Sequence, residues 1–260
     1  MTRKEILVVS VLSCVLALPF LNKPIHIDDT VVLHVTKSVI EDPGDPFGGI
    51  IDWLGHEDGV WKVTTNPPFV SYYLAPFAWL SAFSEVVLHL AMLPFYWLFG
   101  FSAFTLARRF TRDPWLPFLF LITSSAVLVS GNVMRDIPAA GLATAGFAAL
   151  VYGSDRNDWK LGSLGGLLVG LSILAKYPLA MLTVPVGLYF VLRRKIRHVG
   201  WLLIPAAIVL LWCLFTALRY GMPHPLYLLL EKSSNSNIQW QDKLFGAVLI
   251  HGSALYLVPA

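Results

Sequence analysis

Apolar runs recur along almost the whole chain, separated by short polar breaks. A run of about 20 apolar residues crosses roughly 30 Å of hydrocarbon as a helix. In order, the runs predict spans over residues 5–21, 85–107, 114–130, 137–152, 161–175, 179–192 and 199–218. An eighth apolar run begins near 244 and stops at Ala260, as in a truncated or minimal version of a longer protein. A polar loop, 22–66, follows the first run, and 67–83 is apolar and aromatic again. If Arg3 and Lys4 lie inside, the loop lies outside and Arg108, Arg109 and Arg112 return inside. That return takes one crossing, so 67–83 is expected to be juxtamembrane or re-entrant. The expected fold class is all-α: a polytopic membrane helical bundle, with about seven to eight transmembrane helices in one domain, 1–260.

Within the outer loop, positions 31, 32, 35 and 39 are apolar and share one helical face. They predict a short helix on the membrane surface, ended by Pro43, Gly44, Pro46, Gly48 and Gly49. Gly162, Gly165, Gly166 and Gly170 read as close helix packing. No small-x-small cleavage site precedes the loop, so the first run reads as an uncleaved span rather than a signal peptide.

Composition supports a membrane bundle. The chain is 56% hydrophobic and 13% charged, against about 25% charged in soluble domains. A net charge of +3 is too small to argue for nucleic acid. The strongest basic cluster, Arg193 to His198, falls inside by parity. The outer loop instead holds Asp28, Asp29, Glu41, Asp42, Asp45, Asp52, Glu57 and Asp58, eight of the 16 acids. Only Lys23, Lys37 and Lys62 oppose them there.

Asp28 and Asp29 have two readings: caps of the 30–40 helix, or a general base for a hydroxyl or amine. Asp136, beside Arg135 at the outer end of the fourth run, is either half of an interfacial ion pair or a functional carboxylate. By parity Lys176 and Arg219 reach the same side. There they either anchor the helices or bind a phosphate by charge and donor geometry. Asn66-Pro67-Pro68 turns the chain back toward the membrane. The aromatics beyond it, Tyr72 and Tyr73 among them, form an interfacial belt or stack on a sugar or isoprenoid tail. No HExxH, P-loop, GxGxxG or GxSxG motif occurs. A metal site is not indicated, although His26 and His56 leave a divalent metal open.

Taken in order, several segments resemble a known family. They are Asp28-Asp29, Asn66-Pro67-Pro68-Phe69-Val70-Ser71-Tyr72-Tyr73, Leu106-Ala107-Arg108-Arg109-Phe110, Met134-Arg135-Asp136-Ile137-Pro138 and Gly170 through Pro178, followed by Leu192-Arg193-Arg194-Lys195. Together they resemble the GT-C glycosyltransferases, in particular protein mannosyltransferases and lipid A aminoarabinose transferases. The family usually has His or Lys where this chain has Asn66. The resemblance implies inverting transfer of a sugar from a polyprenyl-phosphate donor, on the outer face, to a glycan, lipid or protein. It implies Asp28 or Asp29 as base, Asp136 assisting, and Lys176, with Arg135 and Arg219, at the donor phosphate. Asn66, Tyr72, Tyr73 and His26 would line the substrate. A multi-pass protein of a bacterial inner membrane, or of the endoplasmic reticulum, is expected. Two other classes stay open: a catalytically silent membrane subunit, and a transporter.

Overall fold

The computed structural model describes residues 1–53, 55–124, 127 and 133–232. The loop expected at 131–132 and the run from 244 lie outside the described residues, as does part of the end of the 114–130 run. The chain divides into two units, Met1–Trp212 and Cys213–Ala260.

The described chain is mainly helical, as expected of an all-α protein. Helix α1 (Arg3–Val15) starts at a capping box, in which Thr2 and Glu5 exchange side-chain and backbone hydrogen bonds. The chain then turns through a 3-10 stretch, Leu18–Phe20, that contains Pro19. Helix α2 (Asp29–Glu41) buries Val31, Val32, Val35 and Val39, so the predicted apolar face is the packed one. It lies against α4 (Phe69–Ser81), where the Ser71 hydroxyl donates to the Val32 carbonyl at 3.0 Å. Between them stands an antiparallel hairpin, β1 (Ile50–Trp53) with β2 (His56–Gly59), leading into one turn of helix, α3 (Val60–Val63). The hairpin corrects a purely helical expectation for the loop. Ile50 and Ile51 are β-branched, and Gly55 takes φ +81°, a left-handed value that favours glycine in a tight turn.

The long helices follow: α5 (Glu85–Phe110), the short α6 (Trp115–Ile122), α7 (Asp136–Arg156) and α8 (Trp159–Ala175). Helix α7 is central and packs against α5 and α8. Its contact with α8 is made through glycine. A Cβ on Gly165 would sit 2.8 Å from the Gly146 carbonyl oxygen, and one on Gly153 would sit 2.7 Å from the Gly162 nitrogen. The glycine-rich run was therefore correctly read as packing. A 3-10 stretch, Tyr177–Leu182, leads to α9 (Thr183–Leu192), and another, Ile196–Leu202, runs into α10 (Leu203–Tyr220). In the second unit the His224 N–H donates to the Thr216 hydroxyl at 3.1 Å, at the start of α11 (His224–Tyr227).

Among the described residues three helices are long and apolar enough to cross a membrane: Glu85–Phe110, Asp136–Arg156 and the continuous Ile196–Tyr220. That is fewer than the seven to eight spans expected. Two shorter apolar helices, Trp159–Ala175 and Tyr177–Leu192, accompany them. The other runs fall short in helix length: α1 has 13 residues and stops before Pro19, α8 has 17 and α9 has 10.

Candidate functional site

The two aspartates that open the 22–66 loop have different surroundings. Asp28 is half exposed, with a carboxylate oxygen 3.5 Å from Nδ1 of the equally exposed His26. Asp29 is fully buried. Its Oδ2 accepts from the His26 N–H at 2.9 Å, and the Val133 N–H also donates to its carboxylate. Neither aspartate caps α2 through its side chain. Burial raises the Asp29 pKa above the usual aspartate value, against the lowering effect of those two N–H groups and of the positive fields of His26 and His89. A buried carboxylate with a raised pKa is a stronger base than an exposed one.

His89, on α5, is buried too. Its Nδ1 lies 2.8 Å from the Glu85 carbonyl oxygen, which can only accept. In the neutral ring Nδ1 therefore carries the proton and Nε2 is the acceptor. Asp29 Oδ1 and His89 Nε2 are both buried without a hydrogen-bond partner among the described residues. Sequence reading passed over His89. Its signal was an ionisable residue inside an otherwise apolar run.

Val133, which donates to Asp29, precedes Arg135 and Asp136 at the head of α7. The Lys176 ammonium, at the end of α8, donates to Asp136 Oδ1 at 2.5 Å. The pair is about one-third exposed, 34% for Lys176 and 37% for Asp136. Asn66 joins them from the end of the 22–66 loop, its Oδ1 accepting from the Tyr177 N–H at 3.3 Å. Arg135 points two buried guanidinium nitrogens, Nε and Nη2, where no described residue accepts from them. Burial lowers its pKa to about 10, so the group stays charged near neutral pH.

Of the residues singled out in the sequence, His26, Asp29, Arg135, Asp136, Lys176 and Asn66 thus stand on linked segments at one end of the first unit. Tyr72 and Tyr73 have their hydroxyls engaged elsewhere, on the Pro43 carbonyl at 2.5 Å and the Ala91 carbonyl at 2.8 Å. Tyr73 packs its ring against Phe77 and Phe95. Arg219 belongs to the second unit, in the last turn of α10. Among the described residues no group of three or more His, Cys, Asp or Glu side chains is arranged to hold a metal ion. The chain matches no protein family, no curated protein and no solved structure in the comparisons made.

Proposed function

We propose that the chain is a membrane glycosyltransferase that moves a sugar from a polyprenyl-phosphate donor to an acceptor, with inversion, on the outer face of a bacterial inner membrane. The observation that carries this reading is Asp29: a buried, raised-pKa carboxylate with one oxygen that no described residue bonds, on the segment that contacts the Arg135–Asp136 head of α7. In the proposed step Asp29 takes the proton of the acceptor hydroxyl. The acceptor oxygen then forms a bond to the anomeric carbon from the face opposite the phosphate. The bond from that carbon to the phosphate oxygen breaks, and polyprenyl phosphate leaves as the anion. Lys176 and Arg135 are the cations at the Asp136 head of α7, and each hydrogen bond to a developing anion is worth several kcal/mol in a dry site.

The seven-to-eight-span topology belongs to the same proposal. Helix α8 has 17 residues, about 25 Å at 1.5 Å per residue. It runs antiparallel to α7, with Lys176 meeting Asp136 at one end and Gly162 meeting Gly153 at the other. If α7 crosses a bilayer, α8 crosses it too, with the bilayer locally thinned around its shorter length.

The test is transfer of radiolabelled sugar from a polyprenyl-phosphate donor by membranes carrying wild type, Asp28→Asn, Asp29→Asn or Asp136→Asn. The reading expects loss in Asp29→Asn and retention in Asp28→Asn. Equal transfer in all four removes the catalytic assignment and leaves the silent membrane subunit.

A further inference from the structure

At the end of the bundle opposite Asp29, a groove of about 540 Å³ opens between α1, α5, α7 and α8. Its shape follows from side chains at helical spacing. Helix α7 forms the floor with Ala145, Ala148 and Ala149, small residues that leave the space open, and with the Tyr152 ring toward one end. Helix α5 forms one wall, where the Trp97 and Phe101 rings stack at 5.1 Å and 19°. Leu164 and Leu168 of α8 form the other.

All of these stripes run toward the same cationic mouth. Arg108 closes the α5 stripe and Arg156 the α7 stripe. Arg108 is neutralised by Glu5 at 2.5 Å. Arg156 has no carboxylate partner among the described residues, and its guanidinium lies 5.5 Å over the Tyr152 ring. The stretch from Ala145 to Arg156 covers about 16 Å at 1.5 Å per residue. That is close to half of a roughly 30 Å hydrocarbon core, so the groove matches one leaflet rather than a whole bilayer.

We propose that this groove holds an anionic phospholipid of the leaflet on the basic side, one acyl chain between α5 and α8 and the headgroup phosphate on Arg156. The charge at the mouth selects an anionic headgroup, and the apolar walls require a chain. Free phosphate satisfies only the first demand. A neutral lipid satisfies only the second. This site is separate from the Asp29 cluster and does not depend on the transfer reading.

The test titrates the purified full chain in detergent with phosphatidylglycerol, phosphatidylcholine or inorganic phosphate and follows the thermal unfolding midpoint. The expected result is a shift with phosphatidylglycerol larger than with phosphatidylcholine by about 3 °C or more, which is on the order of a tenfold difference in affinity, and no shift with inorganic phosphate. Arg156→Gln should abolish the difference between the two lipids. Leu164→Trp, at a position 47% exposed, fills the groove and should remove the response to both. Arg194→Gln makes the same charge change in the basic cluster outside the groove lining and should keep the preference. Equal shifts from both lipids in wild type overturn the proposal. So does a preference that survives Arg156→Gln or is lost equally in Arg194→Gln, and so does a shift reproduced by inorganic phosphate alone.

Discussion

The two ends of the α7–α8 pair are built on opposite rules. At the basic end, Asp155 accepts from Arg109 Nε at 2.6 Å and lies 3.7 Å from the Lys195 ammonium, which also donates to the Ser154 carbonyl at 2.5 Å. His198 is held between the Ser154 hydroxyl and the Asn157 amide oxygen and stacks on Trp201. The one buried orphan there among the described residues is the neutral Trp201 Nε1. At the Asp29 end, a carboxylate oxygen, an imidazole nitrogen and two guanidinium nitrogens are buried without a partner among the described residues. Each such group costs about 1–3 kcal/mol, and more when charged. The same two helices thus carry one end that is fastened and one end whose hydrogen bonding is incomplete. Unfinished hydrogen bonding of that kind is what a ligand completes, and a fastened end is what keeps the helices in place meanwhile.

The widest separation between the ends should come from Asp29→Asn. Loss of a general base lowers turnover by about 10²–10⁴-fold, whereas unfolding at neutral pH should occur no earlier than in wild type. The sign follows from the raised pKa of Asp29. A carboxyl whose folded pKa lies above its unfolded value contributes stability that is complete below the unfolded value, near 4, and is lost as pH rises through the folded value. At neutral pH its charge opposes folding, and Asn removes that charge. The acid limb of the transfer profile should lie above the ordinary aspartate range for the same reason. A rate limb near pH 4, or undiminished transfer in Asp29→Asn, ends the distinction between the two ends. Lys176→Met comes next, with transfer reduced by about 10²-fold if the lysine meets developing charge and little altered if it only anchors α8.

Packing was more legible in the sequence than the site. Basic clusters after apolar runs, the glycine stripe and the face made by 31, 32, 35 and 39 are periodic or compositional signals, and packing followed them. The site was legible only in part. Asp28 and Asp29 are adjacent and chemically identical, so nothing in the sequence separated them. What separates them is a tertiary contact, the Val133 N–H, which comes from a residue 104 positions later. His89 stood out as an ionisable residue in an apolar run, but nothing in the sequence linked it to Asp29, sixty positions earlier. The hairpin was hidden by its length, four residues per strand, and by the acids it carries at Asp52, Glu57 and Asp58. Span number was over-read because an apolar run does not show how much of it is α-helical: the 5–21 run is α-helix only as far as Val15 and then turns through a 3-10 stretch.

Asp155→Asn perturbs the fastened end. It leaves Arg109 and Lys195 without their carboxylate, but the group is 24% exposed. Screening therefore limits the loss to about 1 kcal/mol. With a Tm dependence of about 2–4 °C per kcal/mol for a chain of 150–250 residues, calorimetry should find a drop of only a few degrees. Transfer should be unchanged, because no reacting group is touched. A large loss of transfer would mean that the ends are coupled through α7 rather than independent.

Asn66→Ala should have the smallest effect and separates two meanings of the same residue. Its Oδ1 receives a long 3.3 Å bond from the Tyr177 N–H, and its Nδ2 donates to the Thr65 hydroxyl at 3.0 Å. If the side chain only holds Tyr177, and with it the backbone next to Lys176, alanine should cost about 0.5–1 kcal/mol and lower transfer by no more than about threefold, since half a decade is about 0.7 kcal/mol in barrier. Asn66→His keeps a ring nitrogen that can accept from the Tyr177 N–H, and should recover most of that loss. A fall of more than about tenfold in alanine, restored by histidine, would instead put the side chain on the donor itself, because 1.4 kcal/mol exceeds what one long neutral hydrogen bond supplies.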